Sequence, residues 1–307
     1  MGEIRNQIPV GKNRHKVMQD INSMPNSFYP TVYVDDHLII KREYNNARMS
    51  IGTLGGGNHF IEIQKGSDGH IWIMIHSGSR NLGKQVAEHY VKLAYDLNKK
   101  WHSETCLLNI NDSLGFFPID SEEGKNYLRE MQYCVEFALA NRKLMMDRIQ
   151  NIFRNVLEID GVDETVLTFD PMINIAHNYA AIENHFGHNV IVHRKGATLA
   201  RKGTIGIIPG SQGSRSYIVK GLGNIHSFQS CSHGAGRLLG RKQAVKTLDL
   251  AEEIKKLDDL GIIHGIRTKN DLEEAASAYK NIDEVMEAQS DLVEVVTELT
   301  PLAVVKG

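Results

Sequence analysis

Three consecutive glycines, Gly55-Gly56-Gly57, followed at once by Asn58-His59-Phe60-Ile61-Glu62-Ile63, constrain this chain more than any other stretch. Glycine has no Cβ, so the backbone there can turn sharply and approach another group closely. The residues delivered by that turn are an amide, an imidazole, an aromatic ring and a carboxylate. Alternation of Phe60 and Glu62 with Ile61 and Ile63 predicts a short strand. Phe60 and Glu62 then share a face, a ring to stack and an acceptor to pair, which suits a purine. His59 falls in the turn and points elsewhere, for instance at a metal. A glycine-rich hairpin with one buried histidine is the plainer reading of the same residues.

The 307 residues suffice for one large domain or two small ones. Apolar content of 41% and charged content of 23% are those of a soluble globular protein. The net charge of −2 excludes a bulk electrostatic attraction to nucleic acid, so any such contact must use a local patch. Cys106, Cys134 and Cys231 are widely spaced and odd in number. They offer neither a disulfide framework nor zinc-ribbon spacing, and fit a reducing, cytoplasmic setting. No apolar run reaches about 18 residues, and the N-terminal stretch has no hydrophobic signal core.

Along the chain, residues 1–30 are polar and read as a surface loop. Ile71 to Ile75 reads as a buried strand that delivers His76, with Ser77-Gly78-Ser79-Arg80 next: a metal ligand beside an anion site, or a polar turn. Residues 86–100 and 124–156 read as helices, the second with apolar residues about four apart that pack rather than hold a cofactor. A second apolar run ends in His177-Asn178. Val190 to Val192 reads as a strand leading to His193, and Arg194, Lys195, Arg201 and Lys202 follow as four cations in nine residues. They read as phosphate-backbone contacts or as a solvated hairpin. Thr204 to Ile208, a further strand, runs into Pro209-Gly210-Ser211-Gln212-Gly213-Ser214, whose backbone N–H groups could face an anion. Ser230-Cys231-Ser232-His233-Gly234-Ala235-Gly236-Arg237 precedes a stretch, 238–260, that reads as one long helix. That would set His233 at a helix N-terminus, where phosphate is favoured and Arg237 can pair with it.

Together the segments GTLGGGNHFIEI, IHSGSRNLG, NIAHNYA, HRKGAT, IPGSQGSRSYI, SCSHGAGR, AYKNIDEVM and the terminal VVKG resemble the RtcB family of RNA-splicing ligases, in family order from about residue 50 to the end. The resemblance implies an α/β (α+β) chain forming a single compact domain over 1–307, with mixed sheets around a nucleotide and metal cleft. It implies GTP- and Mn²⁺-dependent joining of RNA 3′-phosphate or 2′,3′-cyclic phosphate ends to 5′-hydroxyl ends. His233 matches the nucleophile that takes GMP from GTP. Asn58, His59, Phe60, Ile61, Glu62, His177, Asn178, Ser216, Tyr279 and Lys306 match positions around the nucleotide. Pro209, Gly210, Ser211 and Gln212, with Gly234, Ala235 and Gly236, match backbone that surrounds it. His59, His76 and His177 match ligands of a two-manganese site.

The family's Asp-x-Gly-Cys-Gly motif, which supplies an aspartate and a metal-bridging cysteine, has no match before the glycine triplet. Asp35-Asp36 lacks that context. The expectation is therefore a chain N-terminally truncated relative to the family. Cys231 is a conceivable substitute thiolate, though its surroundings fit the family as they stand. Two rival readings are a non-catalytic guanine-nucleotide or RNA-binding fragment, and a metal-dependent phosphoesterase using the same histidines.

Overall fold

The computed structural model describes residues 1–27, 38–104, 114–159, 161 and 167–307. Asp35, Asp36 and Cys106 lie outside the described residues. The helices are α1 (Gly2–Gln7), α2 (Ile39–Ser50), α3 (Leu82–Lys100), α4 (Glu122–Ile159), α5 (Arg241–Thr247), α6 (Leu250–Asp259) and α7 (Ile282–Glu287). The strands are β1 (Phe60–Gly66), β2 (Ile71–His76), β3 (Asn178–His185), β4 (His188–Lys195) and β5 (Ala197–Leu199), then β6 (Ile205–Ile208), β7 (Ser216–Gly221), β8 (Ser230–Ser232) and β9 (Val293–Lys306). The α/β class expected from the sequence is borne out. Every ladder between these strands is antiparallel.

The chain gathers into two compact units. The larger comprises Met1–Asn13, Leu54–Ser77 and Met145–Gly307. It holds a five-stranded sheet in the order β2-β1-β9-β7-β6, with the two-stranded ribbons β3-β4 and β5-β8. The central strand, β9, pairs through its first half with β7 and through its second with β1. Pro301 cannot donate to a ladder, and in a central strand it is tolerated at a bulge. The register against β1 shifts there, pairing Ile63 with Ala303 and Gln64 with Pro301 and passing over Leu302. The carbonyl of Leu302 accepts from Ile263 N (2.9 Å).

Period two in β1 sends Ile61 into a core with Ile4, Ile8, Leu54, Met145, Ile149 and Val305. The opening residues are thus not all surface loop: α1 buries Ile4, and Ile8 follows it into the same core. A second core of Ile208, Tyr217, Val219, Cys231, Ala235 and Ile282 lies under β6 and β7.

The smaller unit comprises Arg14–Thr53 and Gly78–Leu144. Leu82, Val86 and Tyr90 recur every four residues along α3, and pack with Ile39, Ile40, Tyr133 and Phe137. The helix expected over residues 86–100 starts a turn earlier, and that expected over 124–156 is α4. The 238–260 stretch is not one helix. Leu238 and Leu239 both donate their N–H to the Ala278 carbonyl, which holds them extended, and Asp249 caps α6 by accepting from Glu252 N (3.0 Å). No helix among the described residues is long and apolar enough to cross a membrane.

Asn141, fully buried in the smaller unit, fixes the turn before the glycine triplet. Its Oδ1 accepts from Gly52 N (2.7 Å) and Thr53 N (3.2 Å), and its Nδ2 donates to the carbonyls of Thr53 and Gly78 (both 3.2 Å). Asn141→Leu would strand these buried backbone groups. We expect it to lower unfolding free energy by roughly 2–4 kcal/mol, read from urea midpoints; an unchanged midpoint would contradict this account.

Candidate active site

The β-sheet register builds the first wall of a cleft. Phe60 stands opposite His76 of β2 on one side and opposite Lys306 of β9 on the other, so three side chains form one row across three strands. The Phe60 and His76 ring centroids are 5.5 Å apart, and Lys306 Nζ lies 5.4 Å from the Phe60 centroid. Two positions along, Glu62 shares the face with Phe60, as alternation predicts. The 209–212 loop after β6, the 233–237 loop after β8, Asn58, Arg241, Glu274 and Tyr279 complete the lining. Most of the expected nucleotide-side residues are therefore brought together. Ile61, His59, His177, Asn178 and Ser216 are not part of that lining, and the side chain of Ile61 faces the core. Ser216 stands behind the 209–212 loop, its Oγ accepting from Gly210 N (3.1 Å).

Two carboxyl groups differ sharply. Glu62 is buried, and burial pushes its carboxyl up to about 8 against the opposing pull of Lys306 and of a hydrogen bond from Gln64 (2.5 Å). Glu274, equally buried, gathers the cations. It lies 3.1 Å from Arg237, 2.9 Å from Arg241 and 3.8 Å from Lys306, and accepts from the Tyr279 hydroxyl. Arg237 also stacks over the Tyr279 ring (5.1 Å) and donates to the carbonyls of Leu239 and Glu273. Its guanidinium thus builds the wall as well as charging it. Arg241 and Glu274 were not singled out in the sequence. A Thr268-x-x-Asp271 capping box does mark the turn Lys269–Glu274, but nothing local shows where Glu274 points.

His233 follows β8 and is not at a helix N-terminus; the next helix starts at Arg241. Its Nδ1 lies 2.6 Å from the carbonyl oxygen of Gly196. A carbonyl only accepts, so Nδ1 carries the hydrogen and Nε2 keeps its lone pair. Burial lowers the imidazole pKa, with the Gly196 bond opposing it. Gly196 has φ +68°, and a Cβ there would stand 3.1 Å from His233 Cε1. The Gly196 N–H donates to Asn178 Oδ1 (3.2 Å), so Asn178 supports the residue that partners His233.

Four imidazoles lie in a row. Ring centroids are 5.9 Å apart for His59 and His76, 5.1 Å for His76 and His177, and 5.2 Å for His177 and His233. Burial foremost, then the neighbouring histidines and Lys306, hold His76 well below its ordinary pKa, hence neutral and able to ligate. Neutral imidazoles are donors that a divalent ion accepts. Among the described residues, however, no group of three His, Cys, Asp or Glu side chains meets the geometry of a ready ligand set. Cys231 does not add a thiolate: it is buried, 3.1 Å from Thr198 Oγ1, and burial raises its thiol pKa.

Other expected anion contacts divide. Arg194 is not available to a phosphate, because its buried guanidinium pairs with Glu183 (2.5 and 3.0 Å). Lys195, Arg201 and Lys202 are exposed. Arg80 belongs to the smaller unit, where its Nε donates to Thr53 Oγ1 (3.0 Å). Several loop N–H groups expected to cradle an anion are already paired within the protein: Gly210 to Ser216 Oγ, Ser211 to Ser214 Oγ, Gly234 to Ser232 Oγ and Ala235 to the Pro209 carbonyl. Positive charge in the cleft therefore comes from side chains.

A family profile described as "RtcB: tRNA-splicing ligase RtcB" matches residues 11–307. The chain is similar to the RNA-splicing ligase RtcB of Escherichia coli (strain K12), 40% identical over 257 residues, covering 84% of this chain and 61% of that protein. It is similar to the tRNA-splicing ligase RtcB of Nanoarchaeum equitans, 33% identical over 314 residues, covering 90% and 63%. A third relative, the tRNA-splicing ligase RtcB of Pyrococcus horikoshii, is 31% identical over 309 residues, covering 89% and 35%. The chain spans about three-fifths of the length of the first two relatives.

The raised Glu62 carboxyl has a stability consequence. It holds its proton in the fold while the unfolded chain releases it near 4.5, so stability falls as pH rises from there until the folded group ionises near 8. By pH 7 the loss from this group amounts to at most about 3 kcal/mol. Glu62→Gln should therefore be more stable than the parent at neutral pH and no different near pH 4. Superimposable stability–pH curves for the two proteins would show that the carboxyl is not desolvated.

Proposed function

The chain belongs to the RtcB family, and from that premise we propose that it carries the nucleotide-transfer centre of a GTP- and Mn²⁺-dependent RNA ligase. In this reading RNA 3′-phosphate or 2′,3′-cyclic phosphate ends are joined to 5′-hydroxyl ends. The observation that carries it is His233, whose Nε2 lone pair is kept by the Nδ1 bond to Gly196, in a cleft that also holds Phe60, Glu62, Tyr279 and Lys306. Guanine would stack on Phe60, with its N1–H and 2-amino group on Glu62. Lys306 and the Arg237–Arg241 pair offset the charge of the bound nucleotide.

Nucleophilic transfer follows from that placement. Nε2 of His233 attacks the α-phosphorus of GTP, the P–N bond forms, and the bond to the β-phosphate oxygen breaks to release pyrophosphate. The imidazole then carries positive charge, and its Nδ1–H still donates to the Gly196 carbonyl. Next, an oxygen of the RNA 3′-phosphate takes the GMP and Nε2 regains its lone pair. The 5′-hydroxyl attacks the activated 3′-phosphate, the phosphodiester forms, the hydroxyl proton passes to solvent, and the phosphoanhydride bond breaks to release GMP. A cyclic phosphate end first requires hydrolysis to the 3′-phosphate. His59, His76 and His177 would hold the divalent ion, whose charge, when bound, stabilises the phosphates being transferred.

Incubation with α-labelled GTP and Mn²⁺, followed by denaturing electrophoresis, should leave acid-labile label on the protein, and His233→Ala should abolish it with the fold intact by circular dichroism. Label that persists in His233→Ala removes the residue from this role. GTP binding without label in the parent chain would instead favour a non-catalytic guanine-nucleotide site.

Guanine should be preferred to adenine, because adenine has no hydrogen on N1 and would leave the Glu62 carboxylate unpaired. Such mismatches cost a few kcal/mol, or about 10²-fold and more. Two donors to one carboxylate require its ionised form, so GTP affinity should rise with pH and level off above about 8. Glu62→Gln should lose both the preference and this pH dependence. Equal competition by ATP and GTP in the parent chain would contradict the assignment.

A further inference from the structure

Away from the cleft, the surface carries two large aromatic rings on unusual backbone. Phe186, in the turn between β3 and β4, and Phe228, shortly before β8, both have φ of +53°. Bulky residues seldom occupy that region, and such strain clusters at functional sites. Both rings are nonetheless displayed to solvent, at 58% and 41% exposure. They pack edge to face with centroids 5.7 Å apart, and the exposed His226 lies 6.4 Å from Phe186.

A buried ion pair holds the arrangement. Arg194, bound twice to Glu183, donates also to the carbonyl of Phe228 (2.9 Å). Glu183 bonds to His185 (2.9 Å), whose ring centroid is 4.9 Å from that of Phe228. The role of Arg194 is thus to brace this surface. Exposed cations border it: Arg201 reaches within 3.8 Å of Glu183, and Lys202 follows in sequence. A hydrogen bond from Ala200 N to the Gln229 carbonyl (2.7 Å) sets that segment beside Phe228.

Exposed π faces next to cations are the means by which proteins hold unpaired nucleotides without regard to sequence. We infer that Phe186, Phe228 and His226 form a stacking platform for unpaired bases of single-stranded RNA, with Arg201 and Lys202 on its phosphates. This rests on the reading that an RNA end is placed at His233. Phe228 precedes His233 by five residues, at most about 17 Å of chain. The β3-β4 ribbon extends about 23 Å from Lys195, next to Gly196, to its turn. At ~3.4 Å per stacked nucleotide, the platform meets bases no more than about five to seven nucleotides from that end.

The test uses the 307-residue chain and fluorescence anisotropy of a 5′-labelled single-stranded RNA of about 12 nucleotides ending in a 3′-phosphate. Phe186→Asn with Phe228→Asn removes both rings while keeping a residue that tolerates positive φ, so the turns persist. Phe186→Trp with Phe228→Trp keeps the stacking surface. We expect the Asn variant to bind RNA at least about fivefold more weakly and the Trp variant to match the parent. A strand of equal length without bases should bind parent and Asn variant alike. Unchanged RNA affinity in the folded Asn variant overturns the inference, as does an equal loss towards the strand without bases. A change only in sedimentation would also overturn it, and mark a contact between copies. GTP binding, measured in parallel without RNA, tests the nucleotide cleft separately: its absence would sink that reading and leave the anisotropy result intact.

Discussion

The pairing of β1 with β9 is the constraint on which the site depends. It joins a segment near residue 60 to the chain's last residues, and antiparallel geometry then leaves little choice about which side chains meet. Phe60 faces Lys306, and period two puts Ile61 and Val305 in the core beneath them. The bulge at Leu302 sits between two registers of that ladder and admits Pro301 to a central strand. A slip of one residue would turn Phe60 and Glu62 into the core and bring Ile61 to the cleft. The same hydrophobic contacts that stabilise the sheet therefore fix the register of the site.

Charge in the cleft is divided between two buried carboxyl groups with opposite tasks. Glu274 has three cations and a phenol around it, so its negative charge is matched many times over. Glu62 has Gln64 and a more distant lysine, and burial prevails. Lys306 belongs to both environments: burial lowers its pKa first, and Glu274 and Glu62 oppose that shift. The result is a cationic cleft with one acid that burial keeps protonated up to about pH 8. Above the unfolded pKa that buried carboxyl is a stability cost, and it is local to one face of β1.

How much of this was legible in the sequence follows from the range of each interaction. Alternation in β1 is local, and it correctly set Phe60 and Glu62 on one face. Local too was the strand ending at His76. The helix expected after His233 failed because Leu238 and Leu239 are captured by the carbonyl of Ala278, forty residues away in sequence for the first of them. Arg194 looked like a phosphate contact because a cation is visible in the sequence and its partner is not; Glu183 lies across a hairpin, eleven positions earlier. Glu274 was missed for the same reason, since its partners come from Arg237, Arg241 and Lys306. Ile4 and Ile8 were hidden by polar neighbours that outnumber them.

The partner of His233 is a further case where long range matters, and the choice of a backbone carbonyl has its own logic. A carboxylate at that place would raise the imidazole pKa and draw a proton on to the ring, silencing Nε2. The Gly196 carbonyl fixes the tautomer with no charge, so burial can keep the ring neutral. Delivering that oxygen to 2.6 Å requires the backbone of residue 196 to approach the ring closely and to turn through positive φ. Any Cβ would be strained by the angle and crowded by the ring at once. Asn178 then holds residue 196 through its N–H, on the preceding peptide. The histidine, the glycine and the asparagine thus act as one unit, although the first lies far from the other two in sequence. Each of the three is understood only once β3, β4 and the loop after β8 are brought together.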